Sequence, residues 1–255
     1  MSINGDDGEF EKSLWQSAEG LRGPVESAEY KHIVLGLLFE KYMSDAFQQR
    51  REELRELTQD EDSMYYCGDD DEERQFILED KDAYHGENVF YVPEEARWEY
   101  LIDNATDPDI GAQIDDAMRA IEEENPDRLD GMLPKRYSRI PQDTLEGLLN
   151  EFAELDLGNG KDTQDEDVFG RVYEYFIKEF ARQEGHRGGE FYTPREVVRL
   201  IVKCVNPEPG HRVYDPCCGS GGMLIYSAEH IRESGGNMAD ISLYGQEKNL
   251  NTWAI

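Results

Sequence analysis

The stretch HRVYDPCCGSGGMLIYSAEHIRESGG, residues 211–236, decides the fold of the carboxy-terminal part of the chain. Val213 and Tyr214 read as a short strand, Asp215-Pro216-Cys217-Cys218-Gly219-Ser220-Gly221-Gly222 as a glycine loop, and the apolar residues from Met223 as a helix. ISLYGQE, residues 241–247, then reads as a second strand with an acidic end, and the following residues as the opening of another helix. A strand-loop-helix-strand-helix order predicts a parallel, doubly wound sheet whose ligand crevice lies outside the carboxyl ends of the strands. Only two strands and the start of a second helix fit before Ile255. Such sheets usually need about five strands to bury both faces, so an incomplete parallel sheet is expected.

The loop carries chemistry. Glycines let the backbone turn sharply and approach a ligand closely, and free N–H groups at a helix start favour a carboxylate or other electron-rich group. Asp215, at the strand end, can accept from an ammonium or order the loop. No Lys follows as in a nucleoside-triphosphate loop, and the full G-x-G-x-x-G spacing of a dinucleotide fold is missing. Read alone, the same residues would make an unliganded strand-to-helix turn. Asn206-Pro207-Glu208-Pro209 reads as a turn ahead of the first strand.

Before the loop, RGGEFYTPREVVRLIVKCV (187–205) gives a glycine-rich approach, a Thr193-Pro194 pair suited to the N-cap and first helical position, and an apolar helix. Upstream the chain reads as mostly helical. Residues 10–57 suggest helix, a break at Gly23-Pro24, then a long helix with Tyr30, Ile33, Val34, Leu37, Leu38, Tyr42, Met43 and Phe47 at helical spacing. From Gln48 it turns polar (QQRREELRELTQDED) and reads as a solvated continuation, with the acidic run 68–73 as a loop. YVPEEARWEYL (91–101) suggests an extended approach and a short helix with Trp98 facing a core. Further helices are expected over 110–124, 144–155 and 168–183, the last with Val168, Val172, Phe176 and Phe180 on one face. The polar stretch GNGKDTQDED (158–167) is the best internal boundary, giving a helical domain over 1–160 and the start of an α/β domain over 161–255.

The formal net charge is -31, from 57 acidic against 26 basic residues. The acid is spread along the whole chain and Lys is scarce beside Arg, a pattern that points to adaptation to concentrated salt. In molar salt the Debye length falls to about 3 Å and self-repulsion is largely screened. Cys67, Cys204, Cys217 and Cys218 form no C-x-x-C pair, so neither a zinc site nor a disulfide scaffold is indicated, and a reducing cytoplasm fits. His186, His211 and His230 have no metal-like spacing, and no segment approaches the roughly 18 apolar residues of a membrane span. A soluble, cytoplasmic protein is expected.

The pairing of G-E-F-Y-T-P-R with D-P-x-x-G-S-G-G about twenty residues later resembles the amino-methyltransferases that act on adenine in DNA. LWQSAEGLRGPVESAEYKHIVLGLLFEKYMSDAF (14–47) resembles, more narrowly, the opening segment of the modification (M) subunit of type I restriction-modification systems. The resemblance brackets nearly the whole chain, with the acidic middle over 60–130 matching by layout only. It implies a mainly α N-terminal domain followed by the start of a Rossmann-like, S-adenosylmethionine-dependent methyltransferase domain. It implies transfer of a methyl group from S-adenosyl-L-methionine to N6 of adenine in double-stranded DNA. The implied partners are a specificity (S) subunit, a restriction (R) subunit and a second copy of the M subunit.

The resemblance further implies a cofactor site made of Glu190, Phe191, Tyr192, Thr193, Pro194 and Arg195 with Asp215, Gly219, Ser220, Gly221 and Gly222, and with Glu247 taking the ribose hydroxyls. The family's N-P-P-F-like tetrapeptide, which holds the flipped adenine, is absent from these residues, so no catalytic residue is assigned and a catalytically incomplete fragment is expected. Neither Cys217 nor Cys218 is expected to act as a nucleophile. An acidic protein that competes with DNA for a basic partner would explain the charge but not the motifs. A Rossmann-like methyltransferase with a non-DNA substrate would explain the loop but not residues 14–47. An incomplete sheet exposes an unpaired edge and apolar faces, so the segment beyond about residue 187, expressed by itself, should aggregate. Cooperative unfolding of that segment as a soluble monomer would contradict the reading.

Overall fold

The computed structural model describes residues 7–23, 25–157, 168–184 and 193–249. It divides into two compact units, Met1–Ile177 and Lys178–Ile255. The expected linker over 158–167 lies outside the described residues.

The first unit is helical. Helix α1 (Asp7–Leu21) is followed by α2 (Ser27–Leu57), around which α3 (Asp71–Leu78), α4 (Asp82–His85), α5 (Trp98–Asp103), α6 (Ile110–Glu124), α7 (Pro126–Leu129) and α8 (Gln142–Ala153) are arranged. The expected apolar face of α2 forms the centre: Tyr30, Ile33, Val34, Leu37, Leu38, Met43 and Phe47 are buried and Tyr42 is half-buried. Each fully buried Ile, Val, Leu, Met or Phe among them contributes roughly 1.5–3 kcal/mol relative to an exposed position. Trp98 is buried as its spacing suggests, and α6 has the predicted bounds. Helix α9 (Val168–Glu184) adds Phe176, edge-on to Trp15 at 5.3 Å between ring centroids.

Two expectations for the acidic middle need correction. The polar end of α2 is not a solvated tail, because α3 and α4 fold against it and bury Arg50, Arg51 and Leu54. Arg51 donates to the carbonyl of Leu78, at the last turn of α3, at 2.8 Å and pairs with Glu79 at 2.6 Å. Arg50 donates to the carbonyl of Ala83 at 3.2 Å. Helix ends leave carbonyls without partners, and a guanidinium on an apolar stem supplies donors while burying its methylenes. The run 68–73 is likewise only partly a loop, since Asp70 accepts from the N–H groups of Glu72 and Glu73 and starts α3.

Acidic side chains hold the next segment too. Asp115 on α6 accepts from the N–H groups of Tyr137 at 2.8 Å and Ser138 at 3.2 Å, and Glu122 accepts from that of Leu133 at 2.7 Å. Gly111 lets this segment come close, for a Cβ there would lie 2.5 Å from the Tyr137 carbonyl oxygen. Asn125 pairs with both backbone groups of Tyr91, accepting at 3.0 Å and donating at 2.9 Å, as a neighbouring strand would.

In the second unit α10 (Arg195–Val205) packs on α11 (Gly222–Glu233) through Val198, Val202 and Tyr226. Strands β1 (Arg212–Asp215) and β2 (Ser242–Gly245) pair in parallel, with Val213 opposite Leu243 and Tyr214 opposite Tyr244. The sheet is the beginning that the sequence predicts: among the described residues it has two strands. Tyr214 and Tyr244, side by side, are 59% and 52% exposed, and Leu200 and Val205 of α10 are 64% and 68% exposed. Asn206, in the left-handed conformation, ends α10, and the turn before β1 falls slightly later than expected, at Pro209-Gly210, where the His211 N–H donates to the Glu208 carbonyl at 3.0 Å.

One buried acid in the first unit, Glu40, has no hydrogen-bond partner among the described residues. Glu40 of α2 is fully buried with both carboxylate oxygens unpaired, and the nearby sequence gives no sign of it. Burial lifts its carboxyl well above the usual range, Asp45 and Glu99 add to this, and Lys41 opposes it. The unfolded chain therefore gives up this proton at lower pH than the folded chain does. Above the ordinary carboxylate range stability falls by about 1.4 kcal/mol per pH unit until the folded form also ionises. In denaturant titrations, Glu40→Gln should gain on the wild type progressively as pH rises above the ordinary carboxylate range. Parallel curves over that range would refute the assignment.

Candidate functional site

The glycine loop spans the ends of the two strands and is tied to both. The Gln246 N–H donates to the Asp215 carbonyl at 2.9 Å, and the Cys218 N–H donates to the Gln246 carbonyl at 3.0 Å. Asp215 turns its carboxylate back on the loop, accepting from the Cys217 N–H at 3.0 Å, so it orders the turn. Gly219 at φ +58° and Gly221 at φ +80° lie in the left-handed region that favours glycine, and Gly221 is the N-cap of α11.

That geometry leaves donors unused among the described residues. The N–H groups of Ser220, Gly222 and Met223 carry no hydrogen bond to any described residue. A Cβ built on Gly219, Gly221 or Gly222 would meet nothing within 4 Å, so the space beside the loop is open. Free amides at the start of a twelve-residue helix attract an anionic group. Asp215 and Glu247 meanwhile give the rim a negative potential suited to a cationic ligand. The Glu247 carboxylate reaches the loop directly, one oxygen accepting from the Gly219 N–H at 3.1 Å and the other from the Asn249 N–H at 2.8 Å.

The remaining expected site residues fall in two groups. Glu190, Phe191 and Tyr192 lie outside the described residues. Thr193 is half-buried, and Pro194 rather than Thr193 occupies the N-cap position of α10, with Arg195 the first helical residue. The register differs by one because Pro194 takes an extended ψ of 141° and its carbonyl accepts the first helical bonds, from Val197 and Val198. The Arg195 guanidinium stacks 5.2 Å above the ring of Tyr226, one turn into α11. Thus Asp215, Gly219, Ser220, Gly221, Gly222 and Glu247 are brought together, while Arg195 joins them only through the start of α11.

Two contributors escape a reading by motif. A Cβ on Gly245 would meet the Cys218 sulfur at 2.8 Å, so its missing side chain lets the loop lie on the strand end. Gln246 contributes only its backbone to the stitching and its side-chain oxygen to the Tyr214 hydroxyl at 2.8 Å. The glycine immediately before Gln-Glu in ISLYGQE was the available signal. Burial pushes the Cys218 thiol up, and the charges of Asp215 and Glu247 add to this, which keeps it a thiol rather than a nucleophile. Among the described residues no group of three or more His, Cys, Asp or Glu side chains could hold a metal ion, and no helix is long and apolar enough to cross a membrane.

A family model described as HsdM N-terminal domain matches residues 10–155, and one described as N-6 DNA Methylase matches residues 164–255. The type I restriction enzyme MjaIX methylase subunit of Methanocaldococcus jannaschii is 41% identical over 94% of this chain and 43% of its own length. The HindI methylase subunit of Haemophilus influenzae is 39% identical over 57% of this chain and 34% of its own length. The chain thus spans less than half the length of these curated relatives. A solved type I methyltransferase subunit from Streptococcus thermophilus shares the fold with a TM-score of 0.67 at 23% identity, over 96% of this chain and 54% of that one.

The two kinds of glycine in the loop separate by substitution. Gly221→Ala forces a side chain into the left-handed region and should destabilise the second unit by roughly 1–2 kcal/mol. Gly222→Ala, at the first helical position in open space, should leave it unchanged or slightly more stable. Hydrogen exchange of α11 in the full chain measures both, and equal losses would contradict the loop geometry.

Proposed function

This chain belongs to the methylase-subunit family of type I restriction enzymes, and from that premise we propose that it forms the cofactor-binding part of an adenine-N6 DNA methyltransferase. The observation that carries the reading is the open glycine loop between Asp215 and Glu247, with free amides at Ser220, Gly222 and Met223. The residues fit S-adenosyl-L-methionine. The free amides suit its carboxylate, Asp215 and Glu247 suit its positive charge, and the lone pairs of Glu247 not used by Gly219 and Asn249 suit the ribose hydroxyls. Phe191 to Pro194, with Glu190 and Arg195 flanking, would wall the same pocket.

When bound, the cofactor supplies a methyl group made electrophilic by its sulfonium. Little acid-base assistance is then required of the chain, whose work is to orient the ligand and exclude water. Holding the target adenine falls to an Asn-Pro-Pro-aromatic tetrapeptide, and residues 1–255 contain none. These residues by themselves are therefore proposed to bind the cofactor without transferring its methyl.

The proposed substrate of the whole enzyme is double-stranded DNA in the cytoplasm. Sequence choice rests with a specificity subunit, and assembly includes a restriction subunit and a second methylase subunit. The helical unit is assigned to partner engagement. A net charge of -31 makes any approach to DNA strongly salt-dependent, and the composition is read as an adaptation to concentrated salt.

Titration calorimetry of the 255-residue chain with S-adenosyl-L-methionine should show one saturable site. Asp215→Ala should weaken it about tenfold or more, the loss of at least ~1.4 kcal/mol. Tritiated methyl should not pass from the same cofactor to DNA. Absence of saturable binding would overturn the cofactor site, and labelled DNA would overturn the assignment of adenine binding to the missing tetrapeptide.

A further inference from the structure

Glu247 does more in this structure than wait for a ribose. Its carboxylate is held on both sides, one oxygen by the Gly219 N–H at 3.1 Å and the other by the Asn249 N–H at 2.8 Å. Gly219 is one of the two loop residues in the left-handed region, so the bond falls where the backbone is least constrained by sterics. The approach is a built feature. A side chain at Gly245 would collide with Cys218, and the Cys218 N–H meets the Gln246 carbonyl, so the loop is drawn down onto the very segment that carries Glu247.

A carboxylate offers about four lone-pair positions. Two are taken by the backbone, and two remain, one on each oxygen, enough for a vicinal diol. We propose that Glu247 is a positioning residue for the glycine loop: it holds Gly219 in the ligand-accepting conformation before any ligand arrives, so loop shape and ribose recognition depend on one side chain. The proposal rests on the reading of the loop as the S-adenosylmethionine site. It separates Glu247 from a simple ribose acceptor, which would leave the empty loop and ribose-free ligands unaffected.

Two measurements on the full 255-residue chain test it. In hydrogen exchange without ligand, Glu247→Ala should speed exchange of the bonded loop amides, those of Cys217, Cys218, Gly219 and Gly221, by roughly tenfold or more, the scale of a lost charge-assisted bond, while amides in the second half of α11 keep their protection. Should Glu247→Ala unfold the unit, Glu247→Gln decides. It keeps volume and one acceptor oxygen but loses the charge, and should still loosen the loop several-fold relative to α11. Unchanged loop exchange in the deciding variant overturns the proposal.

The second measurement compares S-adenosylhomocysteine with its 2′,3′-dideoxy analogue, which lacks the hydroxyls. Loop positioning requires Glu247→Ala, or Glu247→Gln if that is the folded variant, to weaken the dideoxy analogue as well, by several-fold or more. An analogue affinity identical in variant and wild type overturns it. If the wild-type chain binds neither compound, the cofactor reading fails, and the exchange measurement alone decides whether Glu247 holds the loop.

Discussion

A backbone N–H or C=O withdrawn from water has to find a partner, and where this chain supplies one and where it does not separates scaffold from site. In the helical unit the partners are side chains sent across from other elements. Arg50 and Arg51 meet carbonyls from 33 and 27 residues away, Asp115 and Glu122 meet the N–H groups of the segment after α7, and Asn125 meets Tyr91. In the second unit the stitching of β1 to β2 uses the first amides of the loop, and those of Ser220, Gly222 and Met223 are left over among the described residues. Partnerless donors at a helix start, beside open space and two carboxylates, are what a ligand with a carboxylate and a positive centre needs.

The same contrast gives the acidity two meanings. Some of the 57 acidic residues are structural: Asp70 starts a helix, Asp115 and Glu122 anchor backbone, and Asp45 pairs with Lys41 while accepting from Leu157. These would be required at any ionic strength. Their effect on stability is local, whereas the excess spread over the surface acts through the summed field and is the part that salt screens. Glu40 belongs to neither group, being buried without a hydrogen-bond partner among the described residues, its carboxyl pushed well above the usual range by that burial.

What could be read from the sequence follows from what repeats or punctuates. The face of α2 and the bounds of α6 were legible because apolar residues recur every three to four positions, and the loop because glycines between a strand and a helix have few other uses. The tail of α2 was misread because a run of Gln, Arg and Glu looks solvated until another element lies across it, and buried arginines leave no periodic trace. Glu40 was invisible for the same reason. Gly245 was visible as a letter but not as a requirement, since only the position of Cys218 shows that a side chain would not fit. The helix start at Pro194 missed by one residue, within the usual uncertainty of helix ends.

The loop between Asp215 and Glu247 is proposed as the S-adenosylmethionine site of a type I methylase subunit. The most direct test is a crystal structure of the chain with S-adenosylhomocysteine. The amino-acid end of the ligand should lie on the amides of Ser220, Gly222 and Met223, with both ribose hydroxyls on Glu247 and the Gly219 bond to Glu247 intact. Ligand bound elsewhere on the chain, with the loop empty at saturating concentration, would contradict it.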